Sequence, residues 1–307
     1  MTDPMVPDRP GDDIGSSVET LLGIRPFLEA ILRPLAAICR EKTRLVETLV
    51  REGGSCPVEV DGSRLDRGAP LCNGMNVFLL QEALRRCFPP MLEVLGKYFA
   101  HLGPRVSRIA DPNGGRNLSA LSGALLDGDH ATFREAARSI GADDWALDLA
   151  VRSGLAPALG WVAVSARPDL AGIDWANGYC PVCRSMPDIS YLTRAGDLGS
   201  EFLRGGGGKR YLHCSLCGYR WGIPRNMCPV CRTDDHEKRM FYEADGVPGE
   251  RVDVCLECRC YLPCIDLRQT PSTPPMEIAA AGMIHLDVWA VENGYRPLAQ
   301  TPWNHVG

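Results

Sequence analysis

Four Cys-x-x-Cys pairs crowd into fewer than ninety residues: Cys180/Cys183, Cys214/Cys217, Cys228/Cys231 and Cys255/Cys258. Two intervening residues let a tight turn aim both sulfurs at one ion while backbone N–H groups offset thiolate charge. Proline after the first cysteine (Pro181, Pro229) presets that turn, and glycine after the second (Gly218) permits a positive φ. A tetrahedral ion takes two such knuckles, so the chain predicts two all-cysteine sites. Pairing in chain order leaves 30 residues between Cys183 and Cys214 and 23 between Cys231 and Cys255, room for a hairpin in each. The nested alternative would join Cys214/Cys217 to Cys228/Cys231 across 10 residues. Spacing of the zinc-ribbon and rubredoxin type favours chain order: Cys180, Cys183, Cys214 and Cys217 as site 1, Cys228, Cys231, Cys255 and Cys258 as site 2. Such sites also supply folding free energy to a region poor in apolar residues.

The remaining sequence sets the frame around these knuckles. The start, MTDPMVPDRPGDDIG, has no basic segment followed by an apolar run and reads as a disordered leader over residues 1–15. With no secretion signal, the fourteen cysteines fit a reducing cytoplasm, where cysteine pairs signify metal more than disulfides. Residues 16–173 read as an all-α domain. Leu28, Ile31, Leu32, Leu35, Ile38, Leu45, Val46 and Leu49 form one apolar stripe on a helix over 25–52, which Pro34 kinks or divides. Another helix runs from Met75 to Cys87, is halted by Pro89-Pro90, and is followed by a helix to about His101. Three or four shorter helices fill 117–166, with breaks at Gly128 and Gly141 and N-caps at Asp129 and Asp143. Residues 174–223 and 224–266 are the two metal modules, with short strands such as Arg210–Leu212. A linker and a last helix, Met276 to Asn293, occupy 267–307. The fold class is therefore an N-terminal all-α helical domain, two tandem rubredoxin-like (zinc-ribbon-like) modules carrying a small amount of β structure, and a C-terminal helix.

Several chemistries are disfavoured. Trp145 to Ala166 is the most apolar stretch, but Asp148, Arg152, Gly154 and Pro157 interrupt it, so no membrane insertion is expected. The glycine run Gly205–Gly208 lacks phosphate-loop spacing and reads as a hairpin tip. No nucleophile–histidine–acid set stands out, and eight thiolates on two ions leave no position for an activated water. Residues 174–270 hold 13 Lys/Arg and 13 Asp/Glu. Two divalent ions with eight thiolates then make the module net negative, a poor partner for nucleic acid. His213, Cys260 and Cys264 lie beside the knuckles and are assigned to structure and packing. A sulfur tetrahedron suits iron and zinc alike.

Arg210-Tyr-Leu-His-Cys-Ser-Leu-Cys217, followed by Trp221 and Cys228, resembles the signature of the formate dehydrogenase accessory protein (FdhE) family. Cys180-Pro-Val-Cys183, Cys255/Cys258 and Gly294-Tyr295 fall in family order. The resemblance implies a non-enzymatic cytoplasmic assembly factor that binds the catalytic subunit of a molybdenum- or tungsten-containing formate dehydrogenase. It implies iron at both four-cysteine sites, with zinc as the alternative, and leaves self-association as a homodimer open. One departure is local: the start of the last helix carries Glu277 where the family pattern has an Asp-Asp pair. Two rival readings remain, a rubredoxin-like electron carrier and a zinc-ribbon nucleic-acid binder.

Overall fold

The computed structural model describes residues 13–52, 58–75, 77–99, 116–141, 144–194, 208–244 and 246–304. Asp143 and most of the glycine run at 205–208 lie outside these residues. The chain divides into two compact units. One holds Arg33–Leu170, with which Val182–Arg184 are grouped; the other holds Met1–Leu32, Ala171–Pro181 and Ser185–Gly307.

The helical unit contains most of α2 (Glu29–Glu52), a short α3 (Gly62–Asp66), α4 (Gln81–Tyr98), α5 (Arg116–Asp127), α6 (His130–Ile140) and α7 (Asp144–Leu170). Gly128 and Gly141 take positive φ of 75° and 66° between the last three helices, and the Asp129 carboxylate accepts from Ala131 N and Thr132 N as an N-cap. Prolines do not interrupt these helices as expected. α2 continues through Pro34, and α4 runs through Pro89 and Pro90 where a halt was predicted. Each proline costs about 3 kcal/mol in a helix interior. Leu84, Cys87, Phe88, Met91 and Leu95, however, are at most 1% exposed along α4. Burial at about 2 kcal/mol per large side chain outweighs the two missing hydrogen bonds. α7 is long and apolar enough to cross a membrane, yet 83% of its apolar window is buried within the protein, as a core helix requires.

The other unit is built on one seven-stranded sheet. Its strands are β1 (Pro187–Leu192), β2 (Arg210–Cys214), β3 (Arg220–Ile223), β4 (Arg239–Glu243), β5 (Glu250–Cys255), β6 (Cys260–Asp266) and β7 (Arg296–Pro297). The order is β3-β2-β1-β6-β5-β4, with β7 beside β6. Each knuckle pair brings its own antiparallel strands, and the parallel pairing of β1 with β6 (Ser190↔Cys264, Tyr191↔Ile265, Leu192↔Asp266) fuses them. The two modules expected in tandem therefore share a sheet.

Side-chain alternation gives the two sheet faces different chemistry. Ile189, Tyr191, Tyr211, Val252, Val254, Tyr261 and Ile265 point to one side, against Met276, Met283, Leu286 and Ala290. Those last four lie on or between α8 (Met276–Gly282) and α9 (Ile284–Glu292); a break at Met283 divides the single terminal helix expected from sequence. α1 (Asp13–Ile24) belongs to this unit too, so the boundary drawn at residue 174 misplaces the first helix. Arg25, just beyond α1, donates to Glu250 at 2.7 Å and to the Gly282 carbonyl at 2.9 Å. The opposite face carries Ser190, Arg210, Arg251, Asp253 and Cys264. Arg210, 1% exposed, pairs with Asp253 at 2.9 Å and donates to the carbonyls of Arg225 and Met227, fixing the approach to the third knuckle.

Within the helical unit, a Cβ at Gly154 would stand 2.6 Å from the Phe88 ring. Gly154→Ala is expected to destabilise this unit by about 1–3 kcal/mol. Urea unfolding followed by helical circular dichroism measures the change.

Candidate metal centres

All four knuckles share one backbone device. The residue after each second cysteine is left-handed: Arg184 (φ 67°), Gly218 (76°), Arg232 (63°) and Arg259 (57°). Sequence reading anticipated this at Gly218 alone. An L-residue there costs about 1–2 kcal/mol, so three arginines hold a conformation that only a surrounding constraint sustains. In the last three knuckles the left-handed residue donates its N–H to the carbonyl of the first cysteine, at 3.2, 3.0 and 2.9 Å. In the first three, the first cysteine donates to a carbonyl five residues on: Ser185, Tyr219 and Thr233, at 2.9, 2.9 and 2.8 Å. The turns thus close in a way that leaves intervening N–H groups facing sulfur, as with Leu216 N and Cys214 Sγ at 3.5 Å.

These turns converge two by two. Cys180, Cys183, Cys214 and Cys217 bring their sulfurs within 4.8 Å of one another, and Cys228, Cys231, Cys255 and Cys258 do the same. Grouping follows chain order; the nested arrangement is not adopted. Cys180 Sγ stands 3.5 Å from Cys217 Sγ, Cys228 Sγ 3.7 Å from Cys258 Sγ, and Cys231 Sγ 3.6 Å from Cys255 Sγ. A disulfide would need about 2.05 Å. Sulfurs bound at about 2.3 Å around one tetrahedral ion stand about 3.8 Å apart, close to what is seen. The donor set thus fits two metal ions, each held by four cysteines with no ligand position left for water.

Electrostatics agree. Burial opposes the thiolate at Cys255, yet the N–H groups of Cys258 and Glu257 and the sulfur of Cys231 bring its pKa down to about 7. Burial pushes the Cys258 thiol up to about 12, and it also raises Cys228 and Cys231. Backbone N–H groups thus favour one thiolate within the cluster, and a cation is required for the other three. The two centres differ in access. The site 1 cysteines are at most 4% exposed, whereas Cys231 of site 2 is exposed and Cys258 half-buried.

Neighbouring residues take structural posts. His213 Nδ1 lies 2.8 Å from Asp188 Oδ1, and Nε2 lies 3.7 Å from Glu277. The histidine that precedes Cys214 is thereby locked between β1 and α8 instead of joining the sulfurs, and Glu277 gains a defined neighbour. Cys260 Sγ approaches the Cys258 carbonyl at 3.6 Å, and Cys264 is buried in β6; neither enters a four-sulfur group. Sequence reasoning missed Arg259. Its guanidinium lies 4.1 Å over the Tyr295 ring and donates to the Asn293 carbonyl at 2.8 Å, so the strained fourth knuckle anchors the end of α9. The arginine's place directly after Cys258 was the available signal.

Fold and sites define a protein with an all-α domain and a pair of four-cysteine zinc-ribbon-like modules sharing one sheet. Residues 179–225 match the family model "FdhE, central domain", a span that contains all four cysteines of site 1. A protein FdhE homolog of Aquifex aeolicus is 30% identical over 122 residues, 39% of this chain and 40% of that one. A homolog from Haemophilus influenzae is 26% identical over 198 residues, 62% of each chain. The matches thus span less than two thirds of these relatives' length. The crystal structure of the FdhE protein from Pseudomonas aeruginosa covers 99% of both chains with a TM-score of 0.65 at 22% identity, which establishes a shared fold. The chain belongs to the FdhE family.

Unequal access predicts unequal release. A chelator is expected to withdraw metal in two phases, the fast one from site 2, and Cys255→Ser should remove that phase and halve the metal content. Elemental analysis and chelator-release kinetics check both expectations.

Proposed function

We propose that this protein is a cytoplasmic, non-catalytic maturation factor for a molybdenum- or tungsten-dependent formate dehydrogenase, and that it acts by docking on the catalytic subunit. The observation that carries the reading is the coincidence of a closed four-cysteine cluster with the stretch matching the FdhE central domain. Closed sulfur tetrahedra favour a role in shaping a docking surface over hydrolysis. We assign Cys180, Cys183, Cys214 and Cys217 to one ion and Cys228, Cys231, Cys255 and Cys258 to the other. Iron is the metal proposed for both, with zinc as the alternative. Bound there, the metal would cross-link two knuckles and fix the strands between them. The protein's own residues do the rest: backbone N–H groups soften the thiolate charge, and Arg210 and Arg259 hold the knuckles to sheet and helix.

The exposure of Cys231 favours one secondary reading, electron exchange at site 2. Reversible bleaching of the iron-loaded protein by a mild reductant would support it, and zinc in both sites would eliminate it.

Deletion of the gene is expected to reduce formate dehydrogenase activity to background, and a tagged chain should co-purify with the catalytic subunit from cells growing on formate. Unchanged activity in the deletion strain would overturn the maturation role.

A further inference from the structure

Among the described residues no strand pairs with β4 beyond β5, so β4 closes one end of the sheet. Its centre is apolar and open, with Met240 43%, Phe241 54% and Tyr242 39% exposed. Edge strands commonly carry a central charge, a proline or a bulge that discourages pairing; these three residues provide none. The ladder fixes which backbone groups face outward. Ala244 N donates to the Glu250 carbonyl and Leu256 N to the Lys238 carbonyl. Even-numbered residues therefore bond to β5, and Arg239, Phe241 and Glu243 turn their N–H and C=O groups to the open edge.

We propose that this edge pairs with the same edge of a second copy of the chain, antiparallel, about a two-fold axis at Phe241. The segment Arg239-Met-Phe-Tyr-Glu243 is charge-complementary to its own reverse. In the symmetric register Arg239 of each copy stands opposite Glu243 of the other, and Phe241 opposite Phe241. All three are outward-facing positions, so each pair exchanges two N–H···O bonds. Sliding the register by two residues keeps those bonds but sets Arg239, or Glu243, against Phe241. Backbone and charge thus select the same alignment. Met240 then faces Tyr242 of the second copy, a favourable sulfur–aromatic contact. Neither Arg239 nor Glu243 has an ion pair among the described residues, and Arg239 Nε is buried without an acceptor. A five-residue strand falls short of a standard permanent interface, so the dimer is weak and reversible. Isologous pairing closes on itself and does not propagate into a filament. The inference does not depend on the maturation role proposed above.

Sedimentation of the full, metal-loaded chain tests it with four samples: wild type, Arg239→Glu, Glu243→Arg, and an equimolar mixture of the two variants. Wild type is expected to show a concentration-dependent monomer–dimer equilibrium. Each variant sets like charges opposite one another twice and should weaken dimerisation by about tenfold or more. Mixing restores it, because a chain with two glutamates then meets a chain with two arginines. Arg239 lies near Cys228, so metal content is measured on every sample. If Arg239→Glu loses metal, Phe241→Pro takes its place: it removes the central outward N–H, keeps the bonds to β5, and should abolish the dimer. A wild-type chain that stays monomeric from about 1 µM to about 1 mM overturns the proposal. So does a dimer indifferent to Glu243→Arg and Phe241→Pro, or a mixture of metal-replete variants no tighter than either alone.

Discussion

The parallel pairing of β1 with β6 is the join on which the rest of the sheet unit depends. Two knuckle modules linked only in series would each present a small, two-faced hairpin with too little apolar surface to hold a helix. Joined, they form one face wide enough to bury α8 and α9, with Ile189 and Tyr211 from the first module beside Val252, Val254 and Tyr261 from the second. On the other face Arg210 spans the same join, reaching Asp253 and the backbone before Cys228. A buried arginine of this kind is costly to desolvate, and its Nε is left without a partner. What it contributes is definition: the spacing between the two modules is set by an ion pair and two carbonyls that nothing else would satisfy.

The metal clusters and the sheet constrain one another. A left-handed arginine after a cysteine is unfavourable alone, and three of them occur here. Sulfurs gathered within 4.8 Å are equally unfavourable as bare thiolates. Strain in the turn and charge on the sulfur are offset together once four thiolates share a cation, because the turn that strains the arginine also frees N–H groups to face sulfur. Arg259 extends the linkage further, since its side chain carries the fourth knuckle to Tyr295 and the end of α9.

Access distinguishes centres that share a ligand set. Site 1 lies between the ends of β1 and β2, with His213 clamped by Asp188 beside it, and its cysteines are covered. Site 2 lies where the sheet ends, with β4 as its last strand, and Cys231 reaches solvent there. The open β4 edge therefore adjoins the exposed centre, and a partner meeting that edge would be close to it.

Much of this was legible in the residues. Cys-x-x-Cys spacing carries a local, short-range instruction, so the knuckles, their grouping in chain order and the breaks at Gly128 and Gly141 could be read directly. Helix continuity through Pro89-Pro90 could not, because Phe88 and Met91 outweigh the prolines only once other helices bury them. The grouping of α1 with the sheet was hidden for the same reason, resting on Arg25 meeting Glu250 more than two hundred residues away. The sequence by itself determined the sulfur chemistry and the helical and knuckle regions, through spacing that acts over a few residues. Only the tertiary structure decided that two modules become one sheet, that one centre is covered and the other open, and which edge is left unpaired. Those features depend on strand pairings between distant segments, for which no local pattern encodes a partner.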